Sequence, residues 1–162
     1  MARIDVQEDL GSWMQLQPAM GAGLVAFSEA VYGKASLPLR VREIARMRIA
    51  QINQCEVCRN ARQQHGSAQG VDEALYSQVE DWRTAAGYSE PEKLAAEFAE
   101  RFALDHVALR ADDAFWQRFR AAYSDAEIVE LSMSIALWLG SGRAMRVLDV
   151  GQACELTLQS PG

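Results

Sequence analysis

The segment Arg42-Glu43-Ile44-Ala45-Arg46-Met47-Arg48-Ile49-Ala50-Gln51-Ile52-Asn53-Gln54-Cys55-Glu56-Val57-Cys58 decides the fold of this 162-residue chain. Its apolar residues recur at intervals of three and four, which is the spacing of one face of an α-helix. They are Val41 just ahead of the segment, Ile44, Ala45, Ile49 and Ile52. Pro38 precedes the pattern, and proline is tolerated where a helix begins. We therefore predict a helix from Pro38 to Asn53.

The two cysteines that close this segment predict a redox site. We expect Cys55 to open a second helix that runs to about Gln64 and ends before Gly66. A separation of three residues puts both sulfur atoms on one helix face, near enough for a disulfide after modest adjustment. Unpaired N–H groups in the first turn would favour the thiolate. Further helical steps extend the same face to Arg62, whose charge would favour a thiolate further, and to His65.

The rest of the sequence also predicts helices. The helical apolar spacing marks residues 19–32, 90–105, 113–122 and 125–139, with a last helix after Gly142. Ser89 and Ser124 each precede a glutamate by three residues, which is the capping-box pattern. Asp72 and Asp112 are predicted N-caps of shorter helices. Because no alternating strand pattern occurs, we predict one all-α domain over residues 1–162, a helical bundle with its motif-bearing core at about 38–140.

Composition limits the classes of function. The chain is 49% hydrophobic and 23% charged, as in ordinary globular proteins, and its net charge of -6 disfavours nucleic acid and anionic membranes as partners. No long apolar span occurs, and the first ten residues carry acids where a signal peptide is apolar. We therefore expect a cytoplasmic protein, whose thiols stay reduced. The arginine-rich run from Arg40 to Arg48 is predicted to be a solvated helix face.

Glu43, followed by eleven residues and then by Cys55-x-x-Cys58, resembles the motif of the AhpD-like, or carboxymuconolactone decarboxylase-like, family. Fainter similarity continues through residues 98–103 and 124–131. The resemblance implies an all-α AhpD-like bundle that assembles as a homo-oligomer, a trimer or a hexamer. It also implies that Cys58 attacks a hydroperoxide, that Cys55 resolves the sulfenic acid into a disulfide, and that Glu43 accepts a proton through water.

One position departs from the family motif. The family places a histidine four residues after the second cysteine, where this chain has Arg62. Arginine cannot shuttle protons at neutral pH, but it can stabilise a thiolate or bind an anionic substrate. His65 is a partial substitute, although a helix would place it about 10 Å from Cys58 along the axis. His106 is expected to cap the preceding helix or to line the pocket.

The sequence thus predicts a thiol-dependent oxidoreductase, an alkylhydroperoxidase-like enzyme that reduces hydroperoxides or another small electrophile. Electrons would come from a dithiol reductant or a reductase. We expect no cofactor beyond the cysteine pair and no metal, because the glycines at 21–23 and 140–142 do not form a dinucleotide loop and further metal-ligand spacing is absent. Within residues 128–139, four apolar side chains that lie off the main stripe also favour an oligomer: Met133, Ala136, Leu137 and Trp138.

Other interpretations stay open. The cysteine pair can be incidental, and Glu43 can simply pair with Arg40 or Arg46 on a solvated helix face. The same scaffold can serve as a non-catalytic redox-sensing or ligand-binding module. It can also carry a carboxymuconolactone decarboxylase-like activity that does not depend on the cysteines.

Overall fold

The computed structural model describes residues 2–159, most of which are helical. The helices are α1 Ser12–Gln15, α2 Pro18–Gly33, α3 Leu39–Asn53, α4 Glu56–Asn60, α5 Glu73–Ser77, α6 Glu90–Leu104, α7 His106–Ala111, α8 Asp113–Ala122 and α9 Asp125–Leu148. A 3-10 turn spans Gly66–Gln69, and the two-residue strands β1 Arg62–Gln63 and β2 Thr157–Leu158 pair in parallel. The predicted all-α class is confirmed. Within residues 2–159, none of the helices combines the length and apolarity needed to cross a membrane.

Helix α3 occupies the centre of the fold, between α6 and α9. One apolar strip of α3 joins a core formed with α6, α8 and α9, and a second strip packs against α5 and the loop that follows it. Between these strips lie three charged side chains, Arg42, Glu43 and Arg46, all of them buried. The prediction that Arg40 to Arg48 forms a solvated face is therefore wrong. The interior accepts these charges because each has partners; Arg42 Nε, for example, donates to the Leu37 carbonyl at 3.2 Å.

The four N-cap residues predicted from the sequence are confirmed. Both capping boxes form, at Ser89 and at Ser124, with the serine hydroxyl and the glutamate three residues later each accepting a backbone N–H. Asp72 and Asp112 accept N–H groups from the third residues after them, at 2.9 Å in each case. Local sequence chemistry is thus sufficient to place the beginnings of α5, α6, α8 and α9.

The predicted helix from Cys55 to about Gln64 is wrong in its length. Helix α4 ends at Asn60, Ala61 is extended, and β1 follows at once. The extended segment is held by the C-terminal segment, because Arg62 N donates to the Leu156 carbonyl and Gln64 N to the Leu158 carbonyl. Arg62 and His65 consequently do not continue the helix face that carries the cysteines.

The predicted break near Gly142 is also wrong, because α9 runs without interruption to Leu148. Glycine costs about 1 kcal/mol in a helix relative to alanine, which tertiary packing can offset. A Cβ at Gly142 would lie 3.0 Å from Asn53 Nδ2 and 3.4 Å from Cys58 Sγ. The glycine therefore lets α9 approach α3 and α4 closely.

Candidate functional site

The cysteine pair lies at the start of α4. Cys55 is the N-cap residue and Cys58 lies in the helix, with 5.2 Å between their Cα atoms and a disulfide between their sulfur atoms. Cys55 is fully buried, whereas Cys58 is only partly buried. The predicted proximity of the two sulfur atoms is therefore confirmed, and only one of them is open to attack.

The helix that precedes the pair is anchored to α9. Asn53, at the end of α3, donates its side-chain amide to the carbonyls of Trp138 at 3.2 Å and Leu139 at 3.1 Å. Its Oδ1 atom accepts from Arg143 Nε at 3.1 Å. Gln54 then takes a left-handed conformation with φ of 53°, which ends α3 and turns the chain into the cysteine pair. These contacts fix where α4 begins.

A buried ion pair lies beneath α4. Arg46 contacts Glu43 through Nη2 at 2.8 Å and through Nε at 3.0 Å. Gln63 Nε2 and the Tyr76 hydroxyl also donate to the Glu43 carboxylate, at 2.8 and 2.7 Å. Burial alone would raise the pKa of Glu43, but the Arg46 charge and the three donating side chains hold it below its usual range. Glu43 is thus an ionised carboxylate. Its ion pair is one of the alternatives predicted from the sequence, but the pair lies inside the protein and not on a solvated face.

Arg46 connects this ion pair to the cysteine helix. Its Nη1 atom donates to the Cys58 carbonyl at 2.6 Å, and its Nη2 atom donates to the Ala61 carbonyl at 3.1 Å. These are carbonyls of the last turn of α4, which have no partner within the helix. Arg46 thereby caps α4 and links Glu43 to the cysteine helix.

A cavity of about 630 Å³ opens beside Cys58. Its walls are mainly apolar. Arg46 is one of the residues that line it, whereas Glu43 is not. Within the part of the chain that the structure describes, the indole N–H groups of Trp13 and Trp138 are buried without acceptors, and both side chains line this cavity. The Tyr32 hydroxyl lies near the Trp138 indole but not in hydrogen-bonding geometry; burial raises its pKa to about 12. The other apolar lining residues include Leu24, Leu137, Met145 and Leu158.

The remaining predicted site residues lie away from the pair. Arg62 contacts Glu73 at 2.6 Å, and its guanidinium stacks 4.4 Å from the centroid of the Tyr76 ring. His65 is exposed ahead of the 3-10 turn, and His106 is exposed at the first residue of α7, so neither lines the cavity. Cys154 is a free, partly buried thiol. No three His, Cys, Asp or Glu side chains of residues 2–159 are grouped as metal ligands.

Several side chains that contact Glu43 or the cysteine pair were not assigned to the site from the sequence. Arg46 was assigned to a solvated face, although its place three residues after Glu43, amid apolar neighbours, is a signal that a buried pair is possible. No signal in the sequence marked Gln63, Tyr76 or Gln152, whose Nε2 atom lies 4.0 Å from Cys55 Sγ. They reach the site only because distant segments pack there.

Comparisons with known proteins concern the family and the fold. The model of the carboxymuconolactone decarboxylase family matches residues 18–101, just over half of the chain. A crystal structure from Agrobacterium tumefaciens, of a protein of unknown function provisionally described as the antioxidant defence protein AhpD, has the same fold. Its TM-score is 0.74 at 20% identity, over 92% of this chain and 96% of that one. No curated protein matches the sequence. On the family match, this chain belongs to the carboxymuconolactone decarboxylase family.

Proposed function

We propose that this protein is a thiol-dependent peroxidase that reduces organic hydroperoxides through a Cys55–Cys58 dithiol/disulfide cycle. The observation that carries the proposal is the unequal setting of the two sulfur atoms. Cys58 lies on the wall of the cavity, and Cys55 is buried behind it within bonding distance. Such a pair provides one accessible nucleophile and one protected resolving thiol.

The cycle balances without a further cofactor. The Cys58 thiolate attacks the terminal oxygen of the hydroperoxide, the O–O bond breaks, and Cys58 becomes a sulfenic acid. The alkoxide leaves with the proton given up by the Cys58 thiol, as an alcohol. Cys55 then attacks the Cys58 sulfur, water leaves, and the disulfide forms. A dithiol reductant supplies two electrons and two protons to restore both thiols.

The cavity favours a substrate with an apolar body. Its apolar lining, with aromatic side chains at Trp13 and Trp138, can bury a hydrocarbon group beside Cys58. Tyr32 stays protonated at neutral pH, so its hydroxyl can donate to an oxygen of the bound molecule. A bulky organic hydroperoxide is therefore the expected substrate in preference to hydrogen peroxide.

Glu43 and Arg46 are proposed to position the reacting sulfur. The lowered pKa of Glu43 makes it a weak base at neutral pH, and its oxygens already accept from three side chains. Arg46 holds the carbonyls of Cys58 and Ala61, so the pair keeps α4 in the orientation that turns Cys58 toward the cavity. The expected water-mediated proton transfer to Glu43 is not required by the chemistry.

A homo-oligomer remains part of the proposal. Met20 on α2 and Met133 on α9 are large apolar side chains left 74% and 53% exposed. A subunit contact that covered them would remove their apolar surface from water. Leu137 and Trp138, which the sequence also placed off the main stripe, are instead buried within the protomer.

The test measures hydroperoxide consumption by the protein in the presence of dithiothreitol. We expect catalytic consumption of cumene hydroperoxide by the natural sequence and its loss in Cys58→Ser. In Cys55→Ser we expect a persistent sulfenic acid on Cys58 that dimedone traps. Cys154→Ser is the matched control, and it should retain turnover because Cys154 lies outside the pair.

Two outcomes would overturn the proposal. A single oxidation of the pair with no turnover would favour a redox-sensing module, for which the arginine at position 62 in place of the family's histidine is the supporting feature. An activity on a lactone substrate that survives both cysteine substitutions would favour a decarboxylase-like enzyme.

A further inference from the structure

The C-terminal segment returns to the cysteine pair after α9 and places Gln152 against it. Gln152 Oε1 accepts the backbone N–H of Glu56 at 3.0 Å, at the start of α4. Gln152 Nε2 donates to the Val150 carbonyl at 3.1 Å and lies 4.0 Å from Cys55 Sγ. One amide group therefore caps the cysteine helix with its oxygen and faces the buried sulfur with its nitrogen.

We propose that Gln152 stabilises the Cys55 thiolate that forms when the disulfide opens, and thereby sets the reduction potential of the pair. The inference rests on the proposed thiol cycle and concerns its reductive half. A sulfur atom in a disulfide is a weak hydrogen-bond acceptor, whereas a thiolate accepts strongly because it carries a full charge. The contact thus gains strength only after reduction.

The reductive step explains why Cys55 needs a donor. A thiolate of the dithiol reductant attacks Cys58 Sγ, the partly exposed sulfur, and the S–S bond breaks. The electron pair leaves on Cys55 Sγ, in a fully buried position where burial disfavours the charge. The second thiol of the reductant then attacks the sulfur that the reductant has bound to Cys58 and releases the Cys58 thiolate. The reductant ends as a disulfide and gives up two protons, of which one goes to Cys58 and the other stays in solution for as long as Cys55 remains a thiolate.

The two atoms of the Gln152 amide can be separated by substitution. Gln152→Glu keeps an acceptor for the Glu56 N–H and removes the donor to sulfur. Gln152→Lys removes the acceptor and keeps a donor that can reach sulfur. A purely structural cap predicts that only the lysine variant changes, whereas thiolate stabilisation predicts opposite shifts in the two variants. Gln64→Glu is the matched charge control, since Gln64 is exposed on the neighbouring segment after β1.

The experiment equilibrates each full-length variant with mixtures of reduced and oxidised dithiothreitol and counts protein thiols. We expect Gln152→Glu to lower the equilibrium constant for reduction about tenfold, which corresponds to about 30 mV for a two-electron couple. Gln152→Lys should raise it, and Gln64→Glu should match the natural sequence. In a Cys58→Ser, Cys154→Ser background, Gln152→Glu should also raise the pKa of the remaining Cys55 thiol, followed by thiolate ultraviolet absorbance.

The possible failures are distinguishable. Equal equilibrium constants for the natural sequence and Gln152→Glu would overturn the role of Gln152 and leave the peroxidase proposal standing. Reversible reduction with the expected shifts, but without hydroperoxide turnover, would support Gln152 and overturn the peroxidase. A pair that dithiothreitol never reduces would overturn both.

Discussion

Two arginine–glutamate pairs flank the Tyr76 ring, and they differ in how deeply they are buried. The Arg46 and Arg62 guanidinium carbons lie 6.0 and 4.4 Å from the ring centroid. The side chains of Arg46 and Glu43 are 3% and 2% exposed. Those of Arg62 and Glu73 are 37% and 76% exposed. The sequence motif draws attention to position 62. Both arginines donate to backbone carbonyls at the end of α4, but only Arg46 is buried and contacts Cys58 itself.

The largest expected effect follows from removing the buried guanidinium. Arg46→Met leaves the Glu43 carboxylate buried without its counter-ion and frees the carbonyls of Cys58 and Ala61. Breaking a buried pair in this way typically costs about 3–5 kcal/mol. We expect a loss of that size in the free energy of unfolding, measured by urea denaturation of the oxidised protein.

Arg62→Met is the matched control for the buried pair. It removes the same charge from an exposed pair, where such interactions contribute about 1 kcal/mol or less, and like Arg46→Met it also removes hydrogen bonds to carbonyls at the end of α4, here those of Arg59 and Ala61. The comparison between the two pairs fails if both methionine variants lose the same stability. In that case the burial of Arg46 would not explain the contribution of its ion pair to the free energy of unfolding.

A second expected effect is that acid weakens the contribution of Glu43 to the stability of the protein. The folded protein holds the pKa of Glu43 below the ordinary value of 4.5, so its ion pair contributes full stability at pH values above 4.5. That contribution disappears as the pH falls below 4.5 toward the folded pKa, because the carboxylate must then take up a proton. We expect the natural sequence to be more stable than Glu43→Gln at neutral pH, and the difference to shrink on acidification.

Urea denaturation over a series of pH values measures this difference. Glu73→Gln is the control: the Arg62 hydrogen bond lowers the pKa of Glu73 as well, but Glu73 is largely exposed, so solvent screening keeps its contribution small. A Glu43→Gln difference that stays constant from neutral to acidic pH would contradict the assignment of Glu43 as the ionised partner of Arg46.

Local chemistry explains what the sequence could predict. The capping boxes at Ser89 and Ser124 involve residues within a single turn, so their hydrogen bonds do not depend on the rest of the fold. The proximity of Cys55 and Cys58 has the same origin, because three residues of helix-like backbone bring the sulfur atoms together. The fold class and the closeness of the two cysteines were therefore predictable from the sequence.

Contacts between distant segments explain which features could not be predicted from the sequence. Helix α4 stops at Asn60 because Arg46 binds the Cys58 carbonyl and β2, almost a hundred residues later, pairs with β1. No local signal in residues 55–64 specifies either partner. The same packing moves Arg62 off the cysteine face and brings Gln152 onto Cys55, so the outer part of the site follows from tertiary structure.

The smallest expected effect is the replacement of Arg62 by the histidine of the family motif. The structure places the position 62 side chain between Glu73 and the Tyr76 ring, with the Tyr76 hydroxyl already donating to Glu43. An imidazole there is held by Glu73 and has no route to the sulfur atoms, so Arg62→His should leave the kcat/KM for cumene hydroperoxide and its pH profile unchanged. A rise in turnover that titrates near the ordinary histidine pKa of about 6.5 would show that position 62 does reach the thiols. The exposed pair would then matter for catalysis, and Arg46 alone would not account for the geometry of the site.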